Sequence, residues 1–294
     1  MLSTIRFIVE HPLNRRHKIS AIRRWLNWQI GSRLVPGPVA VNFVNKTKLL
    51  VACGMTGATG NVYAGLHEFY DMAFALHLLR RDDIFVDVGA NVGVYTVLAS
   101  SVEAKSISIE PIKDAFDQLM LNVHLNDICD RVDARQVGVG SKKGTLKFTN
   151  ALDTTNHVVD GKEAIATAVC EVNVDTLDGV VAAADPLLVK IDVEGFETEV
   201  IAGANDVLSK KSLLAVIMEL NGSGQRYNHD EDEVYKRMIE YGFASYNYDP
   251  YQRSLKELNG KNPSAGNTLF IRDVAAVRER LQAAPAFTVM GESL

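Results

Sequence analysis

The stretch FVDVGANVGVYTVLAS, residues 85–100, runs a short apolar strand into a glycine-bearing turn and then into an apolar helical pattern. Few architectures accept that order. A strand that ends in such a turn and enters a helix is the opening unit of an open, doubly wound α/β sheet, whose ligands sit beyond the carboxyl ends of the strands. The sequence keeps this rhythm. Apolar runs at 84–89, 106–110, 132–139, 187–193 and 213–220 are separated by helix-length segments such as AFDQLMLNVHLND and FETEVIAGANDVLSKK. Nearly continuous apolar strands are what a parallel sheet covered on both faces requires. Residues 140–180 interrupt the alternation with two strand-like runs, GTLKF and AVCEVNVDTL, around the polar loop TNALDTTNHVVDGKE. The closing runs FASYNYD and NTLFIRD are expected to pair as an antiparallel hairpin.

The first 78 residues form an N-terminal extension ahead of a domain at 79–294. It is expected to hold a helical arm closed by VPGP, a hairpin in VAVNFVNKTKLLVAC turning near Asn45, a glycine-rich loop GMTGATGNVYAG, and a helix in LHEFYDMAFALHLL. The glycine-rich loop lacks the Gly-Lys-Ser/Thr ending of a triphosphate cradle. In the arm, Ile19, Ile22, Trp25, Leu26 and Ile30 fall near one helical face, with Arg23, Arg24 and Arg33 beside it. Such a stripe more often packs on its own domain or a second subunit, so a homodimer is one expectation; peripheral contact with a membrane surface is the other.

Composition excludes several classes. A net charge of −5 gives no electrostatic reason to expect nucleic acid as a partner. Cys53, Cys129 and Cys170 are far apart and make no zinc or redox spacing, so they read as free thiols suited to a reducing, cytoplasmic compartment. No apolar run approaches the length of a spanning helix, and the N-terminus makes a poor secretory signal.

The glycine turn narrows the ligand. Its spacing is Asp87-x-Gly89-x-Asn91-x-Gly93, whereas the dinucleotide fingerprint is G-x-G-x-x-G. Asn91 replaces the glycine that lets a pyrophosphate lie against the main chain, and no lysine awaits a triphosphate. The next strand ends in Glu110, 17 residues after Gly93, where a carboxylate can accept hydrogen bonds from both hydroxyls of a ribose. A ribose-binding acid beside a turn unsuited to phosphate points to S-adenosylmethionine, whose positive sulfonium tolerates acids such as Asp87. A NAD-dependent oxidoreductase shares the sheet and the ribose acid, and a non-catalytic cofactor-binding module shares the whole fold. Both alternatives stay open on the residues alone.

Taken together, FVDVGANVGVYT, IEP, VGVGSKKGTLKF, VNVDTLDGV and LVKIDVEGFETEVIAGA resemble, in order and spacing, the FkbM-type S-adenosylmethionine-dependent methyltransferases. The resemblance runs from about Leu79 to Leu220. It implies a Rossmann-like class I methyltransferase fold with a seven-stranded, mostly parallel sheet ending in an antiparallel hairpin. It also implies methyl transfer to a hydroxyl of a small molecule, sugar or glycan acceptor. Carried over by position, Asp87, Gly89, Asn91 and Gly93 would line the methionine end of the cofactor and Glu110 its ribose, with Gly138 and Val139 near the adenine.

Methyl transfer to oxygen needs alignment and a proton acceptor. In Lys190-Ile-Asp192-Val-Glu194-Gly195, strand alternation puts Lys190, Asp192 and Glu194 on one side at the crevice. Asp192 is the first candidate to position or deprotonate the acceptor, Glu194 either joins it or caps the next helix, and Lys190 pairs with one of them. His157 is a candidate general base because imidazole titrates near neutrality. Asn156, Glu219, Asn221 and Glu68 are candidates for the acceptor side, with His67 beside Glu68 helping to close the site. Asp192, Glu219 and Asn221 carry oxygen ligands suited to a divalent cation such as magnesium; spacing does not bring them together, so a metal is left open. The loops 54–70 and 149–165 are expected to choose the acceptor.

Overall fold

The apolar runs at 84–89, 106–110, 187–193 and 213–220 do assemble into one sheet. A computed structural model describes residues 2–34, 37–150, 155–159, 168–263 and 266–294. Much of the polar loop after Thr149, residues 151–154 and 160–167, therefore lies outside the described residues.

The extension opens with α1 (Leu2–Glu10) and α2 (Lys18–Leu34), followed by an antiparallel hairpin of β1 (Val39–Asn42) and β2 (Lys48–Val51). The hairpin turns on Asn45 and Lys46, both at positive φ. The glycine-rich stretch expected as a loop is instead largely helical, as α3 (Thr56–Ala64). Gly60 makes this helix usable: a Cβ there would lie 2.0 Å from the His67 ring, so only glycine lets the following turn fold back on it. The stretch then enters α4 (Phe69–Leu78).

The core then follows as β3 (Ile84–Val88), α5 (Val94–Ser100), β4 (Lys105–Ile109), α6 (Lys113–Leu125) and β5 (Val132–Arg135). After β6 (Gly138–Val139), β7 (Gly144–Thr149), β8 (Val169–Asp175) and α7 (Leu177–Val181), the alternation resumes with β9 (Pro186–Ile191), α8 (Glu197–Ala202), α9 (Asn205–Ser209), β10 (Ala215–Glu219) and α10 (Glu231–Glu240). It closes with β11 (Ala244–Asp249), β12 (Ser254–Glu257), β13 (Asn267–Ile271) and α11 (Val274–Gln282).

The main sheet has the order β12-β11-β13-β10-β9-β3-β4-β5. Strands β5, β4, β3, β9 and β10 are parallel, while β13 runs antiparallel to both β10 and β11. The mostly parallel sheet with a terminal antiparallel pair is thus as expected, with two differences. An eighth strand, β12, lines the outer edge, because Asp249 accepts the amides of Tyr251 and Gln252 and turns the chain back. The apolar run 132–139 is two strands, since a tight turn (Val137 N–H to the Arg135 carbonyl) sends β6 out of the main sheet to pair with β8 in a small sheet.

Alternation along each strand sorts the core into two layers. Phe85, Leu188, Ile217 and Leu269 pack with α4, α5 and α11, while Val86, Val189, Val216 and Phe270 pack with α7 to α10. Among the described residues, no helix is long and apolar enough to cross a membrane. Asn122, fully buried on α6, ties the extension to this frame. Its Oδ1 accepts the Leu50 amide (2.7 Å) and its Nδ2 donates to the Val92 carbonyl (2.8 Å) in the turn after β3. Asn126, half-buried, repeats the clamp one turn later on Lys48. Asn122→Ala, which leaves the buried Val92 carbonyl and the part-buried Leu50 amide unpaired, is expected to lower unfolding free energy in a denaturant titration by about 1–3 kcal/mol. Asn126→Ala should cost less, about 1 kcal/mol or under, because water reaches its partners.

Candidate active site

A cavity of about 380 Å³ opens beyond the carboxyl ends of β3, β4, β9 and β10. It lies where strand order reverses around β3, the place at which an open α/β sheet has room for a ligand. From the other side α3 and the start of α4 close it with Gly57, Asn61, Glu68 and Met72.

The turn after β3 is held from both sides. The amides of Gly89 and Ala90 donate to the Ile109 carbonyl, at 3.0 and 2.9 Å. Gly89 has φ of 79°, and a Cβ there would sit 1.8 Å from the carbonyl oxygen of Asp192, so this position admits only glycine. Asn91 also takes a left-handed conformation, which asparagine tolerates better than most residues. Its Oδ1 accepts the Val92 amide (2.7 Å), so the side chain secures the turn locally. Gly93 lies outside the cavity lining. It begins α5 at φ of 83°, where a Cβ would meet Leu119 of α6 at 3.0 Å, so it serves helix packing.

Glu110 joins this turn to the next one. One carboxylate oxygen accepts the Asn91 amide (2.8 Å) and the other the Ile112 amide (2.9 Å), leaving lone pairs on both. Burial raises its pKa to about 7, against the lowering effect of those two amides. Asp87 is buried at the end of β3 and accepts from the Thr96 hydroxyl (2.8 Å), which also meets Ser108 Oγ (2.7 Å). Burial raises Asp87 to about 6, although Lys190 opposes the shift.

Facing the turn is an acidic group organised by one cation. Lys190, 3% exposed, donates to Asp192 Oδ2 at 2.6 Å and lies 4.9 Å from the centre of the Tyr95 ring. Burial works to lower its pKa, yet Asp192, Glu68 and Asp87 outweigh it and hold the ammonium above the ordinary lysine value. Asp192, Glu194 and Glu219 each bring one oxygen within 4.8 Å of the others. Burial first, and then Asp192 and Glu194, push Glu219 up to about 9, and its Oε2 has no hydrogen-bond partner among the described residues. Glu194, at φ of 55°, points into the cavity because Glu197 takes over the turn: its Oε1 accepts the amides of Val193 and Gly195. Burial also raises Glu194, while Arg226 and His157 counter the rise.

The remaining sequence candidates fall around this group. Asn156 and Glu68 line the cavity, Glu68 accepting the Tyr95 hydroxyl at 2.6 Å. Gly138 and Val139 line it beside Phe148 and Val158. His157 is buried behind the lining, with its Nδ1 2.8 Å from the Thr155 carbonyl. Asn221 is outside the cavity, and its Oδ1 accepts the Ser223 amide. Tyr95, Phe196 and Glu197 were not anticipated. Tyr95 sits at a helical spacing that reads as core, and Glu197 resembles any acid in the first turn of a helix.

A family model described as the methyltransferase FkbM domain matches residues 87–245, over half of the chain. Among curated proteins, the chain is 31% identical over 150 residues to the hexuronic acid methyltransferase AglP of Haloferax volcanii, covering 48% of this chain and 57% of that one. It is 28% identical over 162 residues to methyltransferase 1 of Beauveria bassiana, covering 47% and 65%. It is 34% identical over 83 residues to methyltransferase sdnD of Sordaria araneosa, covering 28% and 32%. The match spans less than two thirds of each relative's own length.

The raised carboxyls make stability depend on pH. Glu110, Glu197 and Asp71 stand near 7 and Glu219 near 9 in the folded chain, against ordinary values of 4.5 for glutamate and 3.8 for aspartate. The folded state therefore holds more protons than the unfolded one in this range, so stability is lost as pH rises through these values. His11 and His77, lowered by burial from 6.5 to about 4, oppose the trend only below their unfolded value. The thermal midpoint of the ligand-free protein should rise as pH falls from about 9 to about 6.5, and Glu219→Gln should flatten the upper part. A midpoint that instead climbs with pH across that window would contradict these assignments.

Proposed function

The chain belongs to the FkbM methyltransferase family, and on that premise we propose that it transfers a methyl group from S-adenosylmethionine to a hydroxyl of a small molecule, sugar or glycan. The observation that carries this reading is Glu110. Its two oxygens are fixed by amides of consecutive turns at the cavity floor, with lone pairs left to accept both hydroxyls of a ribose. Asp87, Gly89 and Asn91 would surround the methionine end, Gly93 would set the path of that turn, and Gly138 and Val139 would border the adenine. The site's surplus of carboxylates suits a cationic sulfonium and disfavours a pyrophosphate.

In the reaction, a lone pair of the acceptor oxygen attacks the methyl carbon in line, and the carbon–sulfur bond breaks with its electron pair onto sulfur. The proton of the hydroxyl passes to a carboxylate. Asp192 is the residue we assign to that task, with Lys190 orienting it. Glu219, protonated at neutral pH, would donate a hydrogen bond within the same group. Glu194, Asn156 and Glu68 would position the acceptor. His157 would act from behind the lining through Glu194, and Asn221 would shape the turn after β10. The oxygens of Asp192, Glu194 and Glu219 also fit a hard divalent cation such as magnesium, which would polarise the acceptor hydroxyl. We take residues 79–294 as the catalytic unit and 1–78 as the extension that closes its cavity. Three free cysteines, two of them exposed, fit a cytoplasmic setting.

Two measurements test the reading. Calorimetric titration should give micromolar binding of S-adenosylhomocysteine and none of NAD, with Glu110→Ala weakening binding about 10- to 100-fold. Binding of NAD alone would overturn the assignment of the donor. With labelled donor and a panel of hydroxylated acceptors, Asp192→Asn should lower kcat about 100- to 10,000-fold while leaving S-adenosylhomocysteine affinity within about threefold. Full turnover by Asp192→Asn would move the proton acceptor elsewhere.

A further inference from the structure

Helix α2 has two faces with different commitments. The inner face is occupied. Ala21 is fully buried with Ile8 and Tyr63, and Trp25 and Trp28 pack on that cluster. Gln29 donates to the Tyr63 hydroxyl (3.1 Å), and Arg24 donates to Asn14 Oδ1 (2.6 Å) and the Tyr63 carbonyl (3.1 Å).

The outer face carries Ile19, Leu26, Ile30 and Leu34, exposed by 88, 46, 59 and 76%. Arg23 and Arg33 lie among them, and α2 contains no acidic residue at all. Residues 1–34 hold seven lysines and arginines against one glutamate, although the whole chain carries −5. The solvated face of a helix ordinarily mixes both signs of charge and avoids a row of large aliphatics. Here the row runs at steps of seven, four and four residues, and the cations flank it.

Two occupants could cover such a row, and charge chooses between them. A second copy paired symmetrically would bring arginine-flanked stripes together with no acid on α2 to neutralise them. An anionic bilayer offers an apolar layer for the aliphatics and negative headgroups for the arginines. We infer that the outer face of α2 docks on an anionic membrane surface, lying in its plane. Helix α3, which packs on α2 and lends Gly57 and Asn61 to the cavity wall, would then hold the cavity mouth on the docked extension.

The test is co-sedimentation of the full chain with vesicles of phosphatidylcholine alone or mixed with phosphatidylglycerol, at low and high salt. It uses no turnover, so its outcome is independent of the methyl-transfer reading. Wild type should partition at least about tenfold better onto the mixed vesicles, and salt should weaken that preference by screening. Leu26→Glu/Ile30→Glu should lower partitioning at least about tenfold. Arg23→Gln/Arg33→Gln should reduce the preference for anionic lipid. These side chains are solvent-facing, and unchanged circular dichroism and thermal midpoint would confirm that each variant is folded. The inference is overturned if wild type ignores both vesicles, or if the double glutamate variant binds as well as wild type. It is equally overturned if sedimentation shows a dimer that Ile30→Glu disperses and that does not bind vesicles.

Discussion

Lys190 is buried at the end of β9 with its ammonium 2.6 Å from Asp192, and the rest of the cavity depends on that placement. Taking an ammonium out of water costs several kcal/mol unless opposite charge and hydrogen bonds repay it. Here Asp192, Glu68 and Asp87 supply the opposite charge. The dependence is mutual. Among the described residues lining the cavity, Lys190 is the one Lys or Arg, set against Glu68, Asp87, Glu110, Asp192, Glu194 and Glu219. A single cation cannot balance six carboxyls in a buried space. The raised pKa values of Glu110, Asp87 and Glu219 follow from burial first and then from the neighbouring carboxylates.

Register explains how the group came to one place. Asp87 of β3 stands opposite Lys190 of β9, and Lys190 opposite Ile217 of β10, so Glu219 lies two residues further along the same face. The face that carries Phe85, Leu188 and Ile217 into the core becomes polar at its carboxyl end. One alternation thus builds both the hydrophobic layer and the chemical group above it.

Much of this was legible from short-range pattern. The runs around 84–89, 106–110, 187–193 and 213–220 are buried parallel strands because their apolar residues are continuous and their ends are marked by Gly89, Glu110 and Gly195. The break at Gln136 was not legible, because Val137, Gly138 and Val139 are as apolar as the strand before them, and only pairing with β8 pulls them away. The helix at α3 was hidden because two glycines dominate its composition, and the packing of His67 on Gly60 is a tertiary reason. Asp192 and Lys190 could be placed by alternation within one strand. The nearness of Glu219 could not, since it needs the β9–β10 register. Glu194 suited a helix cap in sequence; its positive φ turns it toward the cavity, and Glu197 instead accepts the Val193 and Gly195 amides of the turn before α8.

On the proposed reading, the acidic excess also gives the reaction a constant charge. The donor enters with a positive sulfonium, and its field favours ionisation of the carboxyls that burial holds partly protonated. Binding therefore releases protons, by the same linkage that ties these groups to stability. When the methyl group leaves, the sulfur becomes neutral and the sulfonium charge vanishes from the cavity. The proton surrendered by the acceptor hydroxyl replaces it if it stays on Asp192 or a neighbouring carboxylate. The cavity then carries the same net charge before and after transfer, so no charge must cross the buried wall during the chemical step.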